Sequence, residues 1–480
     1  MALGARVNLN GYTNWSPKDE LLIKMSSQQP LARLLVVKLH IGIDDTDSKT
    51  GGCTTYVAAL LVERFSQMRV RFTDYPNIVR LNPNIPYKTR GNAAVALRLQ
   101  VPDCKYEAVR EAAIRTVEEN SKIGEEATDP AVVLLGSRPS RAITRLSRKA
   151  LTGIVSVPEA VRALRGAMGS AVSYGSGMGI VGALAAVGQT LDEDHTYELI
   201  AYRCRRNLGK PRLVDEESVI RMDRLTSPNT FNNYDNENKR VLITPHGPDP
   251  VLLGLRGETP EAVRTAFGLL LVDEPIERWV IFRTNHGTDA HFHGTESRQL
   301  LRVNRPVRLR GVVYEIPKRI RGGHVFLKLL ISRRVVECAA FEPTGRFKEV
   351  VAKLIPGDKV TVFGGVRRHE ADYRPALTVN LEKITVDRLV EDTVTRNPRC
   401  PRCEKRMKSA GQGQGYRCPV CKYDLPDAAK QILLRSRAIR PGLYVPDKKA
   451  HRHLTKPLAR YGLEKKRWDR SPPVGRWHEP

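Results

Sequence analysis

The sequence predicts a multidomain protein that joins an α/β domain, an α+β domain, a small β-barrel and a zinc ribbon. Three observations lead to this fold class. Strand-like and helix-like patterns alternate through the first 300 residues. Five short β-rich runs then follow one another between about 305 and 390, and two Cys-x-x-Cys pairs come after them. A chain of 480 residues is also too long for one ordinary domain.

The composition indicates a polyanionic partner. The formal net charge is +27 and the pI is about 9.9. An excess of this size points to nucleic acid, with an anionic membrane surface as the alternative. No stretch reaches the ~20 apolar residues of a membrane-spanning helix, and residues 1–33 lack the apolar core of a signal peptide. We therefore expect a soluble, cytoplasmic protein, with residues 1–33 as a disordered extension.

An acidic loop between a strand and a helix organises the first domain. The strand is predicted from Leu34 to Ile43, and the helix from apolar residues at helical spacing beyond Tyr56. Asp44, Asp45 and Asp47 crowd together at the end of the strand. Their mutual repulsion favours a bound cation, and Mg²⁺ held by one or two carboxylates and substrate phosphates fits best. The alternative is that these residues are turn and capping residues.

Two further segments are predicted to bind phosphate. Lys88 and Arg90 lie in a proline-rich loop just before a strand. Gly175, Gly177 and Gly179 precede an apolar helix, whose N-terminus could hold an anion. The alternatives are a rigid connection carrying two solvated charges, and close packing of the helix.

The second and third regions have different secondary-structure patterns. From about Thr196, strands and helices of short length predict a small α+β sandwich, with a helix starting at Thr259-Pro260. Between about 305 and 390, five strands with a helix (346–354) after the third predict an OB-fold, a barrel that commonly binds oligonucleotides. The alternative is a barrel that serves only as scaffold.

The C-terminal part contains a metal motif and a basic tail. Cys400, Cys403, Cys418 and Cys421 have the spacing of a structural zinc ribbon, with a redox dithiol as the alternative. Residues 430–480 contain 14 Lys and Arg against 4 Asp and Glu. This charge predicts a partly ordered phosphate-binding arm, or else a tail that only aids solubility.

Seven motifs together resemble the archaeal tRNA(Ile) 2-agmatinylcytidine synthetases. They read GIDDTDS, GCTTY, LNPNIPYKTRGN, GSGMGIVGALAAVG, TFNNYD, HGPDPVLLGLRG and TNHGTDAH. The resemblance covers about residues 34–425. It implies a kinase-like ATP/cytidine domain (34–192), a ferredoxin-like domain (193–303), an OB-fold (304–392) and a zinc ribbon (396–425), followed by a basic tail (426–480).

The resemblance also implies an activity. These enzymes attach agmatine to the 2-position of the wobble cytidine of tRNA(Ile) with a CAU anticodon, through a phosphorylated base, and convert ATP to AMP. The modified base allows the AUA codon to be read.

By the same resemblance, Asp44, Asp45, Asp47 and Thr54 are catalytic. Asp44 and Asp47 would hold Mg²⁺, and Thr54 would become phosphorylated. The lysine, arginine and glycines of the two phosphate segments would stabilise the transferring charge. The guanidinium of agmatine calls for a carboxylate partner, and the candidates are Asp235, Asp249 and Asp289.

Two rival functions remain at this point. A non-catalytic single-strand binder would use the barrel, the ribbon and the tail, but would leave the aspartates and the glycine loop without a role. A Mg²⁺-dependent nuclease would use the aspartates and cleave without ATP, but the turn that begins at Gly52 gives it no support.

Overall fold

The computed structural model describes residues 7–8, 36–86, 91–295, 301–371, 374–466 and 472–480. The chain divides into two compact units. Unit 1 comprises Met1–Val307, Gly365–Arg367 and Asp447–Pro480, and unit 2 comprises Arg308–Gly364 and Arg368–Pro446. Of the predicted N-terminal extension, all but Val7–Asn8 lies outside the described residues.

The strands and helices have the following bounds. The strands are β1 (Val7–Asn8), β2 (Val36–Asp44), β3 (Arg71–Phe72), β4 (Asn77–Arg80), β5 (Ala93–Pro102), β6 (Ala131–Leu135), β7 (Ser170–Ser173), β8 (Thr196–Arg203), β9 (Thr230–Phe231), β10 (Tyr234–Asp235), β11 (Arg240–Val241), β12 (Val251–Gly257), β13 (Ile276–Thr284), β14 (Pro306–Val313), β15 (Lys318–Arg319), β16 (Val325–Ile331), β17 (Arg334–Ala340), β18 (Lys359–Ala371), β19 (Arg374–Arg388), β20 (Asp392–Arg396), β21 (Lys408–Ser409), β22 (Tyr416–Arg417), β23 (Asp424–Leu425), β24 (Gln431–Arg435), β25 (Gly442–Tyr444) and β26 (His478–Glu479). The helices are α1 (Thr54–Gln67), α2 (Tyr106–Asn120), α3 (Arg141–Thr152), α4 (Val157–Arg165), α5 (Met178–Gly188), α6 (Glu216–Thr226), α7 (Pro260–Gly268) and α8 (Arg346–Ala352).

A mixed sheet, of twelve strands within the described ranges, forms the centre of unit 1. Its order is β1-β7-β6-β2-β5-β4-β13-β8-β12-β9, with β3 beside β5 and β26 beside β13. Alternate residues of β5 belong to two different hydrophobic clusters, Val95 and Leu97 to one and Ala94 and Ala96 to the other. Since successive strand residues point to opposite faces, the first cluster, with α1 and α2, covers one face. The second cluster, with α3, α4 and α5, covers the other.

The second half of this sheet is antiparallel. Its order is β13-β8-β12-β9, and α6 and α7 share a hydrophobic cluster with these strands. The predicted start of α7 is confirmed, because the Thr259 side chain accepts a hydrogen bond from the Ala262 backbone N–H at 3.1 Å. A parallel pairing of β13 with β4 joins the two halves of the sheet.

Unit 2 contains a closed barrel and a three-stranded ribbon. The order β14-β18-β19-β17-β16 closes on itself because β14 also pairs with β16. Helix α8 follows the third barrel strand and precedes the fourth, as the sequence predicts. The closed five-strand barrel is therefore confirmed. The ribbon consists of β21, β22 and β23.

The C-terminal segment corrects the prediction of a partly ordered arm. Its described residues from Asp447 onward belong to unit 1. The guanidinium of Arg460 is fully buried and pairs with the carboxylates of Asp194 at 2.9 Å and Glu258 at 3.1 Å. Lys456 also pairs with Asp194, and Lys465 with Glu258. Three cations of the segment are thus paired with carboxylates about 200 residues or more upstream, a pairing that charge counts along the sequence do not reveal.

None of the helices in the described ranges combines the length and the apolar character that crossing a membrane requires.

Candidate active site

The acidic loop begins where β2 ends. Asp44 is the last residue of β2 and lies opposite Ala131 of β6. The next residue, Asp45, has a φ of 60°, and Gly52 has a φ of 77°, so the backbone turns sharply at both places. The loop then leads directly into α1, which begins at Thr54. The strand-to-helix junction that the sequence predicts is therefore present.

A small cavity lies against the three aspartates of this loop. Its volume is about 90 Å³, smaller than the several hundred Å³ that enclose a whole ligand of drug size. Asp44, Asp45 and Asp47 line it together with apolar residues that include Leu81 and Val181. The structure thus places the three predicted aspartates around one cavity.

The electrostatics of the loop favour a bound cation. Burial, together with the charges of Asp45 and Asp47, raises the pKa of Asp44 well above its ordinary value. Burial is also the main reason why the pKa of Asp45 rises to about 6, and the charges of Asp47 and Asp129 add to it. A divalent cation beside these carboxylates would restore their charged form.

The glycine loop (Gly175–Gly179) lies beside the acidic loop. Neighbouring atoms come so close to Gly175 and Gly179 that a larger side chain has no room there. A Cβ atom at Gly175 would come within 1.9 Å of an Asp129 carboxylate oxygen, and one at Gly179 within 2.3 Å of the Asp129 carbonyl oxygen. Gly177 is the N-cap of α5, with a φ of 80°. One turn further on, a Cβ at Gly182 would lie 1.7 Å from Asp44 Oδ2. Helix α5 therefore rests directly on the acidic loop.

Asp129 is a fourth acidic residue of this site, and the sequence analysis missed it. Its backbone N–H donates to Asp45 Oδ2 at 3.1 Å, and its Oδ1 accepts from the Ser176 backbone N–H at 3.1 Å. Asp129 thus connects the acidic loop to the glycine loop. The signal in the sequence was limited to an Asp-Pro pair, Asp129 and Pro130, immediately before the apolar run that forms β6.

The remaining predicted phosphate residues have different outcomes. Thr54 is 5% exposed and its Oγ1 accepts a hydrogen bond from Thr46 Oγ1 at 3.1 Å, so it lies against the acidic loop. Neither α1 nor α5 is capped by a side chain of its N-cap residue, which suits an anion at each helix start. Lys88 and Arg90 lie in residues 87–90, outside the described residues.

The three candidate agmatine carboxylates lie in different surroundings. Both oxygens of Asp289 accept hydrogen bonds from the C-terminal segment, from Lys456 N and Tyr461 Oη. Asp235 accepts from its own turn, at Glu237 and Asn238. Asp249 is 3.5 Å from an Arg212 nitrogen. Its loop is also next to the acidic one, because a Cβ at Gly51 would lie 3.9 Å from the Pro248 carbonyl oxygen.

The four ribbon cysteines converge as a zinc site requires. Their sulfur atoms all lie within 4.8 Å of one another, and two pairs are 3.4 Å apart. Thiolates on a tetrahedral zinc at 2.3 Å are about 3.8 Å apart, so the arrangement fits this metal. Among the described residues, the acidic loop does not bring three ligand atoms as close together as the ribbon cysteines do.

Comparisons with known proteins agree with this arrangement. Three family models match the chain: the TiaS TCKD domain at residues 40–105, the TiaS FLD domain at 177–291 and the TiaS C-terminal zinc ribbon domain at 397–439. A tRNA(Ile) 2-agmatinylcytidine synthetase, TiaS, of Staphylothermus marinus is 41% identical over 435 residues, 89% of this chain and 94% of that protein. The chain belongs to the tRNA(Ile) 2-agmatinylcytidine synthetase family. The synthetase of Archaeoglobus fulgidus is 40% identical over 89% of this chain and 99% of its own length.

Solved structures of the synthetase family have the same fold. A crystal structure of TiaS in complex with its isoleucine tRNA and ATP matches with a TM-score of 0.81 at 39% identity, over 88% of this chain and 97% of that chain. A complex of TiaS with the same tRNA, AMPCPP and agmatine matches with a TM-score of 0.77 at 37% identity, with the same coverage.

Proposed function

We propose that this chain attaches agmatine to C2 of the wobble cytidine of tRNA(Ile) with a CAU anticodon, using ATP. The observation that carries the proposal is the small cavity lined by Asp44, Asp45 and Asp47 in a chain of this synthetase family. The non-catalytic binder does not account for such a cavity.

The reaction needs an activated oxygen and then a nucleophile. The 2-oxo carbon of cytosine is urea-like and a poor electrophile. Transfer of a phosphoryl group to its oxygen makes that oxygen a leaving group. The neutral primary amine of agmatine then attacks C2, the C–O bond breaks and phosphate departs, and the nitrogen loses its extra proton. Because ATP ends as AMP in this scheme, a second phosphoryl group also leaves the nucleotide. It passes to Thr54 in the proposed self-phosphorylation and is finally released as phosphate by water.

The residues of the acidic loop would support the transfer of charge. Asp44 and Asp47 are suited to hold Mg²⁺, which would neutralise the phosphates when bound. Asp45 and Asp129 hold the loop against the glycine loop. The starts of α1 and α5, with Thr54 and Gly177 at their ends, would direct backbone N–H groups towards phosphate. Thr54, the proposed site of self-phosphorylation, lies at the start of α1. Lys88 and Arg90 remain predicted phosphate ligands.

We infer that Asp249 is the first of the three agmatine candidates to test. Its loop approaches Gly51, and a guanidinium favours a carboxylate that it can contact through two hydrogen bonds. Asp235 and Asp289 remain candidates. All three carboxylates already have partners within the chain, since Asp249 accepts from the Val251 backbone N–H at 3.2 Å and lies beside Arg212, so the position of the Asp249 loop alone sets the order. The domain types fit the same scheme. The antiparallel order β13-β8-β12-β9, with helices after β8 and before β13, supports a ferredoxin-like domain, and the β2–α1 unit supports a kinase-like one.

Incubation of the full chain with Mg²⁺-ATP, labelled agmatine and a tRNA(Ile) transcript with a CAU anticodon tests the proposal. We expect label in the tRNA only when ATP is present, and none with Asp44→Asn. The exposed Asp103→Asn variant serves as the control and should keep full transfer. Tight tRNA binding without transfer by the unmodified chain would instead favour the non-catalytic binder.

A further inference from the structure

A second and much larger cavity lies elsewhere in unit 1. Its volume is about 1120 Å³, slightly above the roughly 300–1,000 Å³ of a pocket for one small-molecule ligand. It is bordered by the N-terminal half of β2, by β5, by α3 and by residues 188–194. None of the three aspartates of the acidic loop lines it. Neither the acidic loop nor the predicted agmatine carboxylates give this cavity a role.

The border of this cavity has an excess of exposed positive charge. Lys38, Arg71, Arg138, Arg145 and Arg148 are exposed there, and none of them forms an ion pair within the described residues. By contrast, Lys149 of the same cavity pairs with Glu159 at 2.6 Å.

Several carboxylates also line the cavity. Asp74 pairs with Arg283, and Asp194 pairs with Arg460 and Lys456. Of the other two, Glu193 lies 3.8 Å from His293, and Asp192 accepts a hydrogen bond from Thr190. The five exposed cations therefore outnumber these two acidic side chains. The cavity is suited to an anion with several charges.

Helix α3 presents two of these cations in a way that costs stability. Its apolar side is buried through Ile143, Leu146 and Leu151, whereas Arg145 and Arg148 are exposed on the side that borders the cavity. Residues three apart are neighbours on a helix, and like charges at this spacing repel each other. A polyanion bound between them would remove this cost.

The positions of the two cavities relate this charge to the acidic loop. β2 runs from Lys38, at the large cavity, to Asp44, at the small one, which is about 20 Å at 3.3 Å per residue. Along α3, Arg145 is about 12 Å from Gly153, which lines the small cavity. Phosphates of one nucleic-acid strand advance by about 3.4 Å per nucleotide along a helix. These spans correspond to roughly four to six nucleotides.

We propose that the large cavity binds the sugar–phosphate backbone of the RNA substrate, several nucleotides from the base in the small cavity. The proposal rests on the proposed function for its choice of RNA. Contacts of this kind position a nucleic acid without reading its sequence. Arg145 and Arg148 are therefore positioning residues, and their loss should weaken the binding of any RNA of the same shape.

The test compares two double variants in the full chain. Arg145→Gln/Arg148→Gln removes two cations of the cavity. Arg162→Gln/Arg165→Gln on α4 removes two exposed cations at the same spacing that do not line the cavity, and it serves as the matched control. Binding of an anticodon stem-loop RNA is measured against salt concentration, together with KM and kcat for agmatine transfer.

We expect the cavity variant to bind this RNA about tenfold more weakly at 0.15 M salt. The slope of log K against log[salt] should fall in magnitude by about 1.5–2, which corresponds to two phosphate contacts. KM for the RNA should rise while kcat is unchanged. The affinity for an RNA with another wobble base should fall by the same factor. The control variant should keep the affinity and the slope of the native chain.

The proposal would be overturned if the salt slope were unchanged in the cavity variant, or if both variants lost the same RNA affinity. Binding of inorganic tripolyphosphate is measured as well. The proposal would also be overturned if the cavity variant lost tripolyphosphate binding but kept its RNA affinity. That last result would assign the cavity to a small anion. If the native chain transfers no agmatine but the two variants differ as expected in RNA affinity, the proposed function fails and the RNA site stands.

Discussion

The position of Asp44 in the acidic loop requires that residue 182 has no side chain. Glycine within a helix usually costs about 1 kcal/mol relative to alanine, so Gly182→Ala would ordinarily stabilise α5. Here the added Cβ would lie 1.7 Å from Asp44 Oδ2. We expect the variant to lose at least about a hundredfold in kcat for agmatine transfer, because a displaced catalytic group is that costly.

The matched control for this substitution is Gly268→Ala at the end of α7, where a Cβ would meet nothing within 4 Å. It should keep full activity and leave the midpoint of thermal unfolding unchanged or slightly raised. If Gly182→Ala is as active as Gly268→Ala, then Asp44 does not need its present position.

His286 makes unit 1 sensitive to acid. It is buried among Glu198, Arg80, Arg256 and His453, with its Nδ1 3.7 Å from Glu198 Oε2. Burial lowers its pKa from 6.5 to about 4, and the charges of Arg256 and Arg80 act in the same direction. Between these two values the unfolded chain binds the proton and the folded chain does not, so stability is lost as the pH falls below 6.5.

The variant His286→Gln should remove this contribution. Between pH 7 and pH 5, both chains should lose free energy of unfolding. We expect the loss in the variant to be smaller than the loss in the native chain by about 1–2 kcal/mol. Urea unfolding at both pH values measures the difference. His293→Gln, which changes a half-exposed histidine, is the control. An identical loss in His286→Gln and in the native chain would show that His286 does not carry the effect.

At this scale the sequence predicted some residues of the site and missed others. Asp44, Asp45 and Asp47 are adjacent in the chain, so their grouping could be read directly. Asp129 lies just before a different strand, β6, and only the pairing of β6 with β2 brings it to the loop. The glycines were predicted as phosphate contacts, and that role stays a prediction. The structure adds a packing reason for Gly175 and Gly179 that depends on Asp129.

Among the elements, the C-terminal segment has the largest consequence for stability. Arg460 is fully buried between Asp194 and Glu258. Removing one partner of a buried ion pair leaves the other charges without compensation and typically costs 3–5 kcal/mol. We expect Arg460→Ala to lower the free energy of unfolding of unit 1 by about this amount, as measured by urea unfolding.

Arg476→Ala in the same segment is the control, because the Arg476 side chain is 66% exposed and pairs with Glu479 at the surface. It should change the stability by less than about 1 kcal/mol. Equal effects of the two substitutions would mean that the buried network around Arg460 contributes little.

Elements with strong periodic patterns could be predicted, and those defined by distant partners could not. The five barrel strands and α8 follow local patterns and turn residues, and all of them are present. Strand β4 is only four residues long, and its place in the sheet depends on partners in β5 and β13. The packing of the described C-terminal segment could not be predicted, because it depends on Lys456, Arg460 and Lys465, whose carboxylate partners lie far upstream.

At the scale of the whole molecule, the zinc ribbon should depend on its metal. Four converging thiolates repel one another without a cation, and small zinc modules usually unfold when the metal is removed. We expect Cys403→Ser, or chelation of zinc, to open residues 397–425 to proteolysis while the tryptic pattern of the rest of the chain is unchanged. Cys104→Ser, at an exposed cysteine outside the ribbon, should have no effect. Full protection of the ribbon in the presence of a strong chelator would contradict a structural zinc.

The return of the chain to unit 1 also has a consequence for protein synthesis. β26 pairs with β13, and Trp477 contacts Phe72 and Tyr75. About 170 residues separate Val307 from these positions. At 5–20 residues per second, a ribosome needs roughly 10–35 s to make them. During that time the nascent sheet keeps an open edge at β13 and uncovered aromatic side chains. A growing chain of this protein is therefore exposed to chaperone capture, or to pairing with a neighbouring nascent chain on the same messenger RNA, until its final strand emerges.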